Sequence, residues 1–458
     1  MAGLVLIAVH ALMLALSPRF AYGGLPVLER PTFIIVALMM LAGGVYLACI
    51  WWLKLPARPP RGWWLWMIGI GLVMRALMLP STPILETDYF RYLWDGAVLA
   101  HGHDPFAHAP QAVRQGDAPP ALVELGEASG VVLERVNHPE LTTIYPSTAQ
   151  AAFAVAHFIM PWRIGGLRIT FLLLDAATFL LLLGLLRQLA LPMSLSMIYW
   201  WNPLLIKEGF NTAHMEMTLL PWLVAALWLA VRWRVFSSMM ALAVATGAKL
   251  WPVLLLPALL RRHGIGWRRG VVAGLVFATL AALLVAPMLA ARRDMDAGVV
   301  AYAATWQVNA SLYQLIDALL SWLHPTAPRV TVAALLLAWI AWLCRTPAAD
   351  GRAVCERALW ITAGLFLLSP AQYPWYWLWL LPMLVVRPSP GLLVLTATLP
   401  MYYLRFPLRE LGLSDWFNHG VVWLQFGPAL ALLAVEAWRR IRDSPLPGCK
   451  AGVTVTTH

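Results

Sequence analysis

The residues RITFLLLDAATFLLLLGLLR, at positions 168–187, have the length and composition of a membrane helix. Crossing the hydrocarbon core of a bilayer takes roughly 20 apolar residues in helical form. Twelve further apolar runs occur, at 3–18, 32–53, 63–80, 147–161, 193–208, 213–231, 236–260, 270–291, 329–344, 357–386, 391–404 and 418–438. A segment in lipid must satisfy its own backbone hydrogen bonds, so the runs predict an all-α polytopic membrane protein, a bundle of roughly 11–13 transmembrane helices.

The overall composition agrees with a membrane protein and excludes other classes. Of the 458 residues, 61% are hydrophobic and 12% are charged, whereas soluble domains carry about 25% charged residues. This composition excludes intrinsic disorder, fibrous repeats and a disulfide-stapled secreted domain. Four cysteines lack the spacing of a metal site, and we expect them to be inert: Cys49, Cys344, Cys355 and Cys449. We treat residues 1–458 as a single integral membrane domain.

The net charge of +11 is a topology signal and does not indicate a nucleic-acid partner. The basic residues gather in short loops, at Lys54/Arg58/Arg61, Arg261/Arg262/Arg268/Arg269, Arg345/Arg352/Arg357 and Arg439/Arg440/Arg442. Short loops rich in Lys and Arg mark the cytoplasmic face of a membrane. We therefore expect a multi-pass protein of the plasma (inner) membrane, with a cytoplasmic N-terminus and with residues 81–145 on the external, periplasmic side.

The loop at 81–145 differs from the rest of the chain because it holds nine acidic residues and three basic ones. A loop of this length is usually functional. The spacing within 88–101 predicts an amphipathic helix lying along the membrane surface. A second, smaller external loop is expected at 292–328, with another amphipathic stretch at 312–323.

Two apolar runs contain a proline that predicts a break. In 236–260 the break falls at Lys249-Leu250-Trp251-Pro252, which favours a broken or re-entrant helix; the alternative is one straight span with Arg232 and Arg234 outside. The run 357–386 is long enough to form two short spans separated at Ser369-Pro370.

The acidic loop begins with the most informative motif, Glu86-Thr-Asp88-Tyr-Phe-Arg91-Tyr92-Leu-Trp-Asp95. Positions 88, 91 and 95 are three and four residues apart, so a helix presents them on one face. A carboxylate there could act as a general base towards a hydroxyl acceptor. The alternatives are a plain surface salt bridge among these three residues, or a divalent cation held by Glu86 and Asp88.

Ionisable residues within or beside apolar runs form a second set: Arg75, His157, Asp175, Lys207, Glu208, His214, Glu216, Lys249 and Arg405. Charges at membrane depth usually face a polar cavity or a partner. For Arg75 and His157 we expect a helix-end position or an internal ion pair. The polar residues of 202–216 predict a hydrated pocket, and Lys249 is a candidate binder of a lipid-linked phosphate. We expect the aromatic run 373–377 to lie at the membrane interface, although a sugar or prenyl groove is the alternative.

Taken together, these motifs resemble the GT-C superfamily of integral membrane glycosyltransferases, especially polyprenyl-phosphate-mannose-type transferases and the glycosyltransferase 87 group. The resemblance covers roughly residues 60–260 and includes Gly102-His-Asp104-Pro-Phe106, Asn137-His138-Pro139, Trp201-Asn202-Pro203 and Lys249-Leu-Trp-Pro252. Three helices precede the acidic loop here, where the simplest family pattern has one.

The resemblance implies an inverting transferase that moves a mannose-like hexose from a polyprenyl-phosphate sugar to a hydroxyl of a lipid or glycan acceptor. It places the catalytic base on Asp88, with Glu86 completing the acidic motif; we expect Glu86 and Arg91 to be further catalytic residues. The expected substrate-binding residues are Tyr92, Asp95, Asp104, His138, Lys207, His214, Lys249 and Arg405. No cofactor is assigned, although a divalent cation could take part. The alternative functions are a transporter or flippase of lipid-linked saccharide, and a glycan ligase or polymerase.

Overall fold

The computed structural model describes residues 1–52, 55–56, 59–290 and 306–442, and these are mostly helical. The α-helices are Ala2–Leu16, Thr32–Trp52, Arg61–Met78, Tyr89–Ala100, Pro110–Gln115, Pro120–Ala128, Val131–Glu134, Ser147–Ile159, Ile164–Gln188, Met197–Trp200, Pro203–Ile206, Leu220–Val231, Val235–Ala248, Leu256–Leu260, Trp267–Ala290, Leu312–Leu320, Ala327–Leu343, Gly351–Leu368, Leu381–Val386, Pro390–Leu393, Leu395–Thr398, Arg405–Glu410, Ser414–Trp416 and Val422–Arg442. Within those residues the only β-pairing is two isolated bridges. The predicted all-α class is confirmed. Lys54, Arg58, Cys449 and residues 292–305, all used above, lie outside the described residues.

Five of the described helices are long and apolar enough to cross a membrane: Ala2–Phe20, Thr32–Trp51, Ile164–Gln188, Trp267–Ala290 and Ser414–Arg442. A sixth candidate is a broken pair, Pro203–Asn211 with Met215–Val231, bent by 98°. The multi-pass character of the chain is thus supported by helices of spanning length, whereas 11–13 such helices are not found in the described residues. Several predicted spans are instead shorter helices, because prolines and polar residues interrupt them.

The two breaks that the sequence predicts, at 249–252 and at 369–370, are both present. The helix Val235–Ala248 ends before Lys249, whose backbone is extended, and a 3₁₀ turn Trp251–Leu255 follows. The straight-span alternative for 236–260 is therefore wrong. Likewise, Gly351–Leu368 ends just before Ser369, and the chain resumes as a 3₁₀ turn at Pro374–Trp379.

The acidic loop is folded into the body of the protein. Its main helix, Tyr89–Ala100, is buried from Phe90 to Val98 and packs on Ser147–Ile159. The contact is close at Gly96, where an added Cβ atom would overlap with the carbonyl oxygen of Phe153. The predicted helix is confirmed, but it does not present a free polar face, because it is covered on nearly every side.

A buried ion pair between Arg75 and Asp175 joins the helices Arg61–Met78 and Ile164–Gln188. Nε of Arg75 lies 2.7 Å from Oδ2 of Asp175, and both side chains are inaccessible to solvent. The hydroxyl of Tyr199 donates to Oδ1 of Asp175 at 2.7 Å, and the guanidinium lies 3.7 Å from the ring centre of Trp200. The expected internal pairing of Arg75 is confirmed. His157, by contrast, is buried at the end of its helix among aromatic rings.

Candidate functional site

One cavity of about 1180 Å³ lies between the acidic loop and the second half of the chain. Sites for small molecules usually measure roughly 300–1,000 Å³, so this cavity has room for more than a sugar. Its wall comes from residues of 20–30, 82–92, 137–146, 248–251, 373–379 and 402–409, with further contributions. The ionisable side chains that line it include Arg30, Glu86, Asp88, His138, Glu216, Lys249, Arg405 and Arg409.

The structure brings the two carboxylates of the Glu86-Thr-Asp88 motif to this wall. Oε1 of Glu86 accepts from the backbone amides of Thr87, at 3.0 Å, and of Asp88, at 3.4 Å. Oδ1 of Asp88 accepts from Nδ2 of Asn137 at 3.2 Å. Burial raises the pKa of both carboxyls, that of Glu86 well above its usual value. A carboxylate with a raised pKa holds a proton more readily, which suits a general base.

The chain is held in unusual backbone conformations beside these carboxylates. Leu85, His138 and Ala213 have φ values of 59°, 49° and 54°, although none is glycine. Side chains with a Cβ atom rarely adopt this region, and such residues cluster at functional sites. Asn211 fixes the approach to the motif, because its side chain accepts from the amide of Ile84 and donates to Ser81 and to the carbonyl of Thr82.

Arg91 and Asp95 do not join Asp88 in the expected row of charges. Nη2 of Arg91 donates to the carbonyls of Asn137, His138 and Leu141, at 3.0, 2.7 and 3.2 Å. Asp95 is buried, accepts from Gln150 at 3.3 Å, and has a pKa raised by burial. The alternative of a salt bridge among Asp88, Arg91 and Asp95 is wrong for these described residues. The guanidinium of Arg91 instead donates its hydrogen bonds to the loop carbonyls. Arg91 therefore holds the 137–141 loop next to Asp88.

Lys249 reaches the cavity, but it already has a counter-ion. Its Nζ lies 2.5 Å from Oε1 of Glu216, and 4.0 Å and 5.0 Å from the ring centres of Tyr376 and Trp379. The Lys249 side chain is 22% exposed and that of Glu216 is 1% exposed. The break at 249–252 is what turns Lys249 towards the wall, because the preceding helix ends at Ala248.

Of the polar residues in 202–216, Glu216 lines the cavity, whereas Lys207, Glu208 and His214 form a buried cluster behind its wall and not the hydrated pocket that the sequence predicts. Glu208 accepts from Lys207 at 3.1 Å and from Tyr403 at 2.7 Å, and Lys207 also donates to Tyr403. Nε2 of His214 lies 3.6 Å from Glu208 and 3.8 Å from Glu86. Lys207 and His214 are fully buried and do not line the cavity, so direct substrate binding is not supported for either.

The remaining predicted binding residues divide into two groups. Tyr92, His138 and Arg405 line the cavity, and Nη1 of Arg405 donates to the Tyr402 hydroxyl at 3.0 Å. Asp104 does not line it; its carboxylate accepts from the amide of Phe106 and shapes the local turn.

Three aromatic rings of the run 373–377 line the cavity, together with Trp379. Tyr373, Trp375, Tyr376 and Trp379 all face it, because the chain after Pro374 turns inward as a 3₁₀ helix. Trp251 stacks on Trp379 with 5.1 Å between ring centroids. Tyr373, Trp375 and Tyr376 thus fit the alternative prediction of a groove-lining run, and Trp379 joins them from outside that run. The proline within this run was the one signal in the sequence that the chain turns inward here. Nothing in the sequence indicated that residues 20–30 also line the cavity.

The described residues contain no group of three or more His, Cys, Asp or Glu side chains placed to hold a metal ion. Glu86 and Asp88 are two carboxylates; of the others nearby, Glu216 is paired with Lys249 and Glu208 with Lys207. The described residues thus offer no all-protein metal site, and a divalent cation held by Glu86 and Asp88 stays a prediction. Comparison of the chain with protein-family models, curated proteins and solved structures gives no match.

Proposed function

We propose that the protein is an inverting membrane glycosyltransferase. It moves a mannose-like hexose from a polyprenyl-phosphate sugar to a hydroxyl of a lipid or glycan acceptor at the outer face of the plasma membrane. One observation carries the proposal: two neighbouring carboxylates, Glu86 and Asp88, share a large cavity with Lys249, Arg405 and a set of aromatic rings. General base, phosphate-binding cations and sugar-stacking surfaces are the groups that such a transfer requires.

The base role belongs to Asp88 in this proposal. Its carboxylate takes the proton of the acceptor hydroxyl while that oxygen bonds to the anomeric carbon, and the bond to the phosphate oxygen breaks on the opposite face of the sugar. The electron pair of the broken bond leaves with the phosphate. The transition state resembles an oxocarbenium ion, so a nearby anion such as Asp88 also stabilises it.

The departing phosphate needs positive charge, and the cavity supplies it at two places. Lys249 lies deep in the wall beside Tyr376, and Arg405 lies beside Tyr402. A guanidinium binds phosphate through paired hydrogen bonds, and an ammonium binds it as a point charge. Neither group requires a nucleotide, which agrees with a donor carried by a membrane lipid.

The aromatic wall supplies the apolar part of recognition. Tyr376 stacks on Trp379 with 4.5 Å between centroids, and Tyr373 stacks on Trp375 at the same separation. Aromatic faces offer large, rigid apolar area. They suit both the C–H face of a hexose and the first isoprene units of a carrier.

Purified full-length protein tested against a panel of polyprenyl-phosphate sugars, with and without a chelator, checks the proposal. We expect transfer from one member of the panel, no transfer from soluble nucleotide sugars, and a raised KM for the donor in Lys249→Ala. Arg19→Ala, an exposed cation that does not line the cavity, is the matched control. Movement of lipid-linked sugar across proteoliposomes without any transfer would replace the proposal with the flippase alternative.

A further inference from the structure

The cavity contains a carboxylate that the proposed reaction does not use. Oε1 of Glu216 pairs with Lys249, whereas its Oε2 is buried and has no hydrogen-bond partner among the described residues. A buried carboxylate oxygen that lacks a partner is costly to the folded state. Glu216 lines the cavity, so the charge is placed where a ligand would meet it.

The surroundings of Lys249 limit how strongly it can hold an anion. The negative charges of Glu216 and Asp88 both act on its ammonium group, and Asp88 also acts on Glu216. An anion that approaches Lys249 is therefore attracted by its ammonium group and repelled by the two carboxylates that act on it. Both effects scale with the charge of the anion, so the repulsion is greater for a dianion than for a monoanion.

We infer that Glu216 is a specificity-determining residue that weakens the hold of Lys249 on a doubly charged phosphate, so that the cavity retains a phosphodiester and releases a phosphomonoester. The inference rests on the proposed function, because there the donor is a diester and the spent carrier is a monoester. Glu216 thus favours release of the spent carrier.

The charge change occurs in the transfer step itself. The donor phosphodiester carries one negative charge. When the bond between the anomeric carbon and the phosphate oxygen breaks, that oxygen keeps the electron pair, and the proton from the acceptor stays on Asp88. The carrier phosphate then has about −1.5 to −2 charges at neutral pH. Once Asp88 loses its proton, two carboxylates again oppose a dianion, and the spent carrier is expelled.

Direct binding to full-length protein in lipid nanodiscs tests the inference with two probes. One is a polyprenyl phosphate; the other is its methyl ester, a singly charged diester that has no sugar to transfer. Glu216→Gln keeps the size of the side chain and removes its charge. We expect this variant to bind polyprenyl phosphate roughly tenfold more tightly, and the methyl ester by a clearly smaller factor. Inhibition of turnover by polyprenyl phosphate should strengthen in parallel.

Two matched changes serve as controls. Glu356→Gln removes a counter-ion from Arg387 and Arg440, outside the cavity, and should alter neither affinity. Adding Lys249→Gln to Glu216→Gln should remove the gain. Glu216→Ala, which also removes the charge, gives the same readout if the amide introduced by Glu216→Gln impairs folding.

An equal gain for both probes, or no gain for either, overturns the role of Glu216 while leaving the proposed function intact. Failure of the wild-type protein to bind either probe would instead remove the polyprenyl-phosphate donor and, with it, the basis of both proposals. The two failures are thus distinguished within one experiment.

Discussion

The imidazole ring of His214 lies parallel to the indole ring of Trp375, with 3.9 Å between centroids and 16° between planes. Trp375 faces the cavity, and His214 is fully buried behind it. Neither ring nitrogen of His214 has a hydrogen-bond partner in the described part of the chain. Stacking and shape, more than hydrogen bonding, therefore hold this ring between the cavity and the buried Lys207–Glu208 pair.

This arrangement predicts that His214→Phe folds with nearly wild-type stability. Phenylalanine keeps the stack on Trp375 and removes two buried nitrogens that lack partners, and such an exchange is nearly neutral. His214→Ala removes the ring and should lower stability by about 2–5 kcal/mol, as for other large-to-small changes in a packed core. The apparent Tm of the two variants in detergent makes the comparison. A larger loss for Phe than for Ala would show that the nitrogens have partners.

Asp88→Asn is expected to reduce sugar transfer by roughly 10²–10⁴-fold, the usual contribution of a general base. The amide retains the size of the side chain, so expression and the thermal melting curve should stay unchanged. Asp104→Asn, outside the cavity, is the matched control and should keep most of the activity. Undiminished transfer by Asp88→Asn would remove the base role from this residue.

As the pH is lowered, the transfer rate should begin to fall at a higher pH than it would if the base were an ordinary aspartate. Burial is the main cause that raises the pKa of Asp88, and a base works only when it has lost its proton. Activity is therefore present above the raised pKa and lost as pH falls through it. The profile of kcat/KM against pH measures this limb. A limb near the value of a free aspartate, about 3.9, would contradict the buried environment.

Asn211→Ala should lower kcat only by displacing the segment that carries Glu86 and Asp88. The Asn211 side chain bonds to the hydroxyl of Ser81 and to the backbone of Thr82 and Ile84, and this segment leads directly to Glu86. Displacement of a catalytic group by about 1 Å can cost about 10²-fold in rate. Ser81→Ala removes one of these contacts and should have a much smaller effect. Equal rates for wild type and Asn211→Ala would show that the segment keeps its place without this side chain.

Breaking the Arg75–Asp175 pair should destabilise the protein strongly. Asp175→Ala leaves the buried guanidinium without its partner, and such a change costs about 3–5 kcal/mol. Tyr199→Phe removes only the hydroxyl that donates to Asp175 and should cost about 1 kcal/mol. Thermal or denaturant unfolding in detergent compares them. Similar losses in both variants would show that the ion pair contributes little.

Local signals in the sequence predicted local features well. Pro252 and Pro370 lie at real breaks, where a missing backbone donor favours the end of a helix, although Pro287 and Pro428 lie inside helices. The helix at 89–100 followed from its spacing. The resemblance and the motif placed Glu86 and Asp88 together, and the structure sets both in the cavity wall.

Features that depend on contacts between distant parts of the chain could not be predicted from such local signals. Spacing suggested that Arg91 faces Asp88 and Asp95, but the carbonyls of a loop some 50 residues away compete for its guanidinium. The Lys249–Glu216 pair joins residues 33 positions apart, and Glu216 follows directly after the 98° bend between Asn211 and Met215. Aromatic residues occur at helix ends both at the membrane interface and in cavities. The composition of the run 373–377 alone therefore could not decide between these two positions.

The Arg75–Asp175 pair also constrains how the protein is made. The helix Arg61–Met78 carries the cation, and its anion arrives 100 residues later in the helix Ile164–Gln188. Either charge alone at membrane depth costs about 2.5–3.5 kcal/mol on insertion scales. Until the helix Ile164–Gln188 has been synthesised, Arg75 therefore lacks the partner that balances its charge in the folded protein.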